Sequence, residues 1–212
     1  WVEQPMYDYP LHQFVDVSNG SQGAAVLVDG LKEYEVLNDP QQTLAVTLFR
    51  AFKYVIQPSS VQDYSYQKGA QCLGEQTYHL AFYPHTGRWG DANVYAEALN
   101  FNNPLRLFQV GRTDGNLPAN LSFLKIEPEN IIFSSLKMAE AADGFILRLY
   151  NPTAETLRGK ITSYLPIHKV SRVSLEEIGQ EEITCLDSHH IPLVMEKKQI
   201  LTLKLNFTEE VE

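Results

Sequence analysis

The chain has 212 residues, 44% hydrophobic, 11% aromatic and 20% charged, with a formal net charge of −9. That length sets one large domain or two small ones, and the apolar content excludes global disorder. Seventeen basic against twenty-six acidic residues argue against a nucleic-acid groove, and no apolar run is long enough to span a bilayer.

The first half reads as strands. Phe14-Val15-Asp16-Val17-Ser18 alternates and runs into the turn Asn19-Gly20. Ala24-Ala25-Val26-Leu27-Val28 follows and closes on Asp29-Gly30, a hairpin signal between apolar runs. Tyr34-Glu35-Val36-Leu37 stops at Asn38-Asp39-Pro40. Thr43-Leu44-Ala45-Val46-Thr47-Leu48-Phe49 has few polar interruptions, which predicts a central strand. Residues 53–76 break the rhythm with Gln57-Pro58-Ser59-Ser60 and scattered tyrosines, a loop long enough to be functional or mobile. A strand over 77–83 then leads into a loop over 84–90. Asp91 is positioned to cap one short helix over 92–99.

From Arg112 the character changes. Thr113-Asp114-Gly115-Asn116-Leu117-Pro118 reads as a linker. Strands are predicted over 122–126, 131–138, 145–150, 157–164, 169–174, 182–185 and 200–205. Leu201, Leu203 and Leu205 alternate with polar residues, as on a half-buried strand. Seven short strands in a hundred residues point to an antiparallel β-sandwich. The expected fold class is all-β, with domains over 1–112 and 113–212.

Few residues point to chemistry. Cys72 and Cys185 make no CxxC pattern and favour a reducing, cytoplasmic compartment. The opposing signal is three Asn-x-Ser/Thr triplets, at Asn19, Asn120 and Asn206; such triplets often arise by chance, and with no signal-peptide pattern in the opening residues the expectation is that they carry no glycan. Neighbouring strand residues point to opposite faces, so His189-His190 is a poor ligand pair for one ion. Glu33 and Glu35 share a strand face, most simply a solvated one; paired carboxylates are also the tools of glycoside hydrolysis. Nucleophile-elbow, phosphate-loop and dinucleotide motifs are absent from the sequence. Trp89, with His85 and Arg88 on a loop, could stack on a sugar ring or could plug the core beneath. Arg50, after an apolar strand, is a candidate buried cation; the blander reading is a pair with a local carboxylate.

Four ordered stretches resemble the C-terminal region of glycoside hydrolase family 38, the α-mannosidases. They are Phe14–Ser18 leading to Gly30-Leu31-Lys32-Glu33-Tyr34-Glu35-Val36; Leu44-Ala45-Val46-Thr47-Leu48-Phe49-Arg50-Ala51; Gly69-Ala70-Gln71-Cys72-Leu73-Gly74-Glu75 with Tyr83-Pro84-His85; and Leu136-Lys137 with Leu147-Arg148-Leu149-Tyr150-Asn151-Pro152. In order and spacing they are most similar to bacterial members, including the mannosylglycerate hydrolase-like branch. The resemblance implies part of a large β-supersandwich followed by a terminal sandwich. It implies a retaining, zinc-dependent α-mannosidase whose zinc and aspartate nucleophile sit in an N-terminal α/β domain. No motif for either occurs here, so the resemblance carries over no catalytic residue and no metal ligand. This chain would support that catalytic domain, its main partner, in an enzyme acting on an α-mannoside; a homo-oligomer stays open. Arg50, His85 and Trp89 are the sugar-contact candidates. The alternative is an autonomous carbohydrate-binding or protein-interaction module.

Overall fold

The computed structural model describes residues 7–52, 68–112 and 114–208. The stretch containing Gln57-Pro58-Ser59-Ser60, with Tyr54, Tyr64 and Tyr66, lies outside the described residues, as does the acidic end at 209–212. The chain divides into two compact units, Trp1–Leu105 and Arg106–Glu212.

The first unit is built on the strands β1 (Asp8–Pro10), β2 (Phe14–Ser18), β3 (Gln22–Val28), β4 (Glu33–Val36), β5 (Leu44–Val46) and β6 (Leu80–Thr86). They form two antiparallel three-stranded sheets, in the orders β1-β4-β5 and β2-β3-β6. Period-two alternation gives β2-β3-β6 two apolar faces. Val15, Val26 and Val28 pack with Leu11, Leu31, Tyr34, Leu44 and Val46, so one face meets the other sheet. Phe14, Ala25, Leu27, Ala81 and Tyr83 pack with Val94, Ala98 and Phe101 of helix α1 (Val94–Asn102). The small residues Ala25 and Ala98, both fully buried, let helix and sheet approach closely.

Local chemistry explains the turns. The β2–β3 hairpin turns at Asn19-Gly20, where Gly20 takes φ 88° and the Asn19 Oδ1 accepts the backbone N–H groups of Ser21 and Gln22, both at 3.0 Å. Asp29-Gly30 does not close a hairpin, because β3 pairs with β2 and β6 rather than with β4. The strand expected over 43–49 shortens to β5, at the end of its sheet among the described residues. Its apolar neighbours Leu48 and Phe49 are exposed, so a run of hydrophobic residues alone did not mark a central strand. The helix starts two residues later than expected, from Asn93 in the left-handed region, with no side-chain cap. Asp91 instead accepts the backbone N–H of Arg88 at 3.2 Å.

The second unit is a β-sandwich. One sheet has the order β12 (Gly179–Glu182), β11 (Ile167–Val173), β14 (Ile200–Phe207), β9 (Phe145–Tyr150), β8 (Ile132–Met138). The other has the order β13 (His190–Met195), β10 (Leu157–Ser163), β7 (Leu124–Glu127). All pairings are antiparallel. Leu147, Leu149, Val170, Leu201, Leu203 and Leu205 from the first sheet meet Ile161, Ile191, Leu193 and Met195 from the second. The sequence missed β13 because Pro192 interrupts it; the strand lies at a sheet edge, where a residue without an N–H is tolerated. Gly159 in the middle strand β10 leaves no room for a side chain, since a Cβ there would fall 1.8 Å from the Glu127 carbonyl oxygen.

One buried amide ties this unit together. Asn151 is 1% exposed. Its Nδ2 donates to the carbonyls of Glu155 at 2.7 Å, Glu196 at 3.0 Å and Met195 at 3.3 Å. Its Oδ1 accepts the Thr153 N–H at 2.9 Å and hydroxyl at 2.7 Å. Asn151→Asp removes every one of those donors and sets a carboxylate against three carbonyl oxygens. The variant should lose at least ~3 kcal/mol in urea unfolding; an unchanged midpoint would show that the amide is dispensable.

Candidate functional site

The expected loop at 84–90 is in its first part a strand. β6 runs through Pro84 and His85 to Thr86, at the edge of its sheet among the described residues, where Pro84 costs no ladder bond. The strand register places His85 opposite Gly23, which faces Ser18 on its other side. A Cβ on Gly23 would lie 2.5 Å from the Ser18 Cβ and 2.6 Å from the His85 Cε1. The missing side chain therefore lets the imidazole reach across the middle strand. Its Nε2 lies 2.6 Å from the Asp16 Oδ2, in a hydrogen bond between side chains only 3% and 7% exposed. The Nδ1 lies 3.4 Å from the Thr86 carbonyl oxygen. Tyr83 stacks on the imidazole, with ring centroids 6.2 Å apart, and its hydroxyl donates to the Ala92 carbonyl at 3.3 Å.

Trp89 joins the same helix-covered core. Its ring centroid lies 5.9 Å from that of Phe14, and Tyr95 meets Phe14 edge-on at 5.6 Å. Trp89 is half-buried there, packed against the core beneath the helix.

Arg50 is exposed rather than buried, with 58% of its side chain open to solvent. Its Nε donates to Glu33 Oε2 at 2.5 Å and its Nη2 to Asp8 Oδ2 at 2.6 Å. Those two bonds raise the guanidinium pKa further above its ordinary value. Glu33, read as one of a pair on a strand face, is therefore one arm of a carboxylate fork. A pocket of about 230 Å³ adjoins it, lined by Leu31, Glu33, Thr47, Leu48, Phe49 and Arg50.

The histidine doublet lies in the second unit. His189 Nδ1 sits 2.9 Å from the Ser163 carbonyl oxygen, while His190 Nδ1 sits 2.8 Å from Asp187 Oδ1. The His189 backbone N–H and the His190 ring hold the Asp187 carboxyl below its usual range. Burial, with Asp187 nearby, pushes the Cys185 thiol up, so it is a poor thiolate ligand. Among the described residues, no group of three or more His, Cys, Asp and Glu side chains is arranged to hold a metal ion. No step involving zinc is derived from this chain. Also among the described residues, no helix is long and apolar enough to cross a membrane.

A second cleft of the first unit, larger than the one beside Arg50, was not legible in the sequence. It measures about 550 Å³ and is lined by residues of the β2–β3 hairpin, by Gln41 and Gln42 of the β4–β5 turn, and by Pro84 and His85. It depends on pairing between segments sixty residues apart, and no local motif marks it.

The buried His85–Asp16 pair generates a stability prediction. His85→Leu should cost about 3–5 kcal/mol, because it strands Asp16 away from water and from its partner. The double replacement of Asp16 and His85 by leucine should cost less than the single change. Equilibrium unfolding of the single and double variants checks this; equal or additive losses would contradict it.

Residues 130–203 match the family model described as the glycosyl hydrolases family 38 C-terminal β-sandwich domain. Alpha-mannosidase G of Dictyostelium discoideum is 27% identical over 177 residues, 80% of this chain and 15% of that protein. An α-mannosidase from Enterococcus faecalis V583 superposes with a TM-score of 0.78 at 23% identity, over 96% of this chain and 22% of that one. A second Enterococcus faecalis structure, of a family 38 protein, gives 0.77 at 22% identity, over 94% and 22%. The chain thus spans less than a quarter of each of these relatives. Residues 130–203 thus match the family 38 C-terminal β-sandwich model, and the chain shares its fold with part of the two Enterococcus faecalis proteins.

Proposed function

We propose that this chain is the non-catalytic C-terminal β region of an α-mannosidase, and that the longer protein hydrolyses terminal α-mannosidic bonds. The observation that carries this is the lopsided coverage: almost all of the chain matches, against 22% of an α-mannosidase. The first unit then supplies part of the large supersandwich and the second the terminal sandwich. The partner is the catalytic domain of the same protein, which holds the zinc and the nucleophile. Two unpaired cysteines support a reducing, cytoplasmic setting.

Of the three sugar-contact candidates, Arg50 keeps that role. It is exposed, charged and fixed by Glu33 and Asp8, with the exposed Phe49 beside it in the pocket lining. A guanidinium held in this way is pre-oriented to donate to sugar hydroxyls. His85 and Trp89 serve the packing of the first unit.

Hydrolysis of a chromogenic α-mannoside tests the proposal, with this chain and with the longer protein, each with and without added zinc. The expected result is zinc-dependent turnover by the longer protein and none by the chain. Turnover by the chain alone would overturn it.

A further inference from the structure

We infer that the cleft between the β4–β5 turn and the β2-β3-β6 sheet is a binding site for a neutral saccharide, separate from the Arg50 pocket. Val17, Ala24 and Pro84 form its apolar floor. These residues share the sheet face opposite to His85, as the register Val17↔Ala24↔Pro84 requires. Gln22 and Asn19 rise from the hairpin on one side, Gln41 and Gln42 from the β4–β5 turn on the other.

The lining chemistry selects the ligand. It contains no Asp, Glu, Lys or Arg, and its one histidine is committed to Asp16. Charged ligands would therefore gain no counter-charge there. Each carboxamide offers both a donor and an acceptor, which matches hydroxyls that both donate and accept. Among the described residues, no protein group bonds the side-chain amides of Gln22, Gln41 or Gln42, so these exposed groups keep their bonding capacity for a ligand. The turn that presents Gln42 is itself ordered: Gln42 holds φ 54°, its N–H donates to the Asp39 carbonyl at 3.1 Å, and the Asp39 carboxylate accepts the Thr43 N–H at 2.9 Å. Carboxamides beside an apolar floor suit a sugar, whose C–H face rests on apolar side chains while its hydroxyls exchange hydrogen bonds with amides.

This inference does not rest on the mannosidase proposal, since it concerns a cleft complete within the first unit. Saturation-transfer NMR and calorimetry with the chain test it, using α-1,6-mannobiose as the neutral probe and inorganic phosphate as the charged one. The expected result is saturable binding of the disaccharide and none of phosphate. Gln41→Ala with Gln42→Ala should weaken binding tenfold or more with thermal unfolding unchanged. Trp89→Phe, on the helix-covered face, should leave it unchanged. Absence of saturable mannobiose binding, binding of phosphate alone, or loss of binding only in Trp89→Phe would each overturn the inference.

Discussion

Asn151 sits where β9 ends, and its side chain bonds backbone groups on both sides of the sandwich. It accepts from Thr153 in the connection leading to β10 and donates to Met195 and Glu196 at the end of β13. The two sheets of the second unit are thereby held together at a point where apolar packing alone gives no register. Leucine and isoleucine side chains supply most of the favourable energy of this unit, but such packing is non-directional. A satisfied, buried amide is directional and costly to misplace. It fixes which ends meet, and the leucine rows of β9 and β14 then close over Ile161, Ile191 and Leu193.

The first unit solves a different problem. Its middle sheet is apolar on both faces and must be covered twice, by a second sheet and by α1. Gly23 makes the far end of that sheet possible, since the absence of a side chain lets His85 reach Asp16 across β3. The result joins β2 to β6, which are not neighbours in the sheet. A buried His–Asp pair would elsewhere invite a catalytic reading. Here the Asp16 bond occupies Nε2 and Tyr83 packs on the ring, so the pair is architecture that leaves the amide-lined cleft on the other face in place.

Strand identity was largely legible in the sequence, because period-two alternation and turn residues act locally. β2 and β9 match their expected limits, and the Asn19-Gly20 turn is where its chemistry puts it. What failed was any feature set by distant partners. Pro84 opens the expected loop over 84–90 and Pro192 falls in a strand that the sequence reading left out, yet both sit on edge strands, a fact that only sheet order reveals. Asp91 looked like a helix cap, but its carboxylate went to the nearer Arg88 N–H. The same limit applies to the sites. The sequence picked out Arg50 as a cation with a local carboxylate, but not that Glu33 and Asp8 converge on it, nor that His85 is buried. Gln41 and Gln42 carry no signal at all until β4 and β5 bring their turn over the hairpin.

A supporting β region needs cores that hold their shape while chemistry occurs elsewhere. In this chain each unit has buried clusters of its own, the main one of the second centred on Leu147, Leu203 and Leu205, and two in the first, around Val15 and Val28 between the sheets and around Ala25 and Leu27 under the helix. Amide hydrogen exchange on the chain tests that most directly, with the longer protein as reference. The account predicts that β3, β9 and β14 exchange slowest in the chain, with protection close to that in the longer protein. Rapid exchange of β9 and β14 in the chain, against full protection in the longer protein, would contradict it.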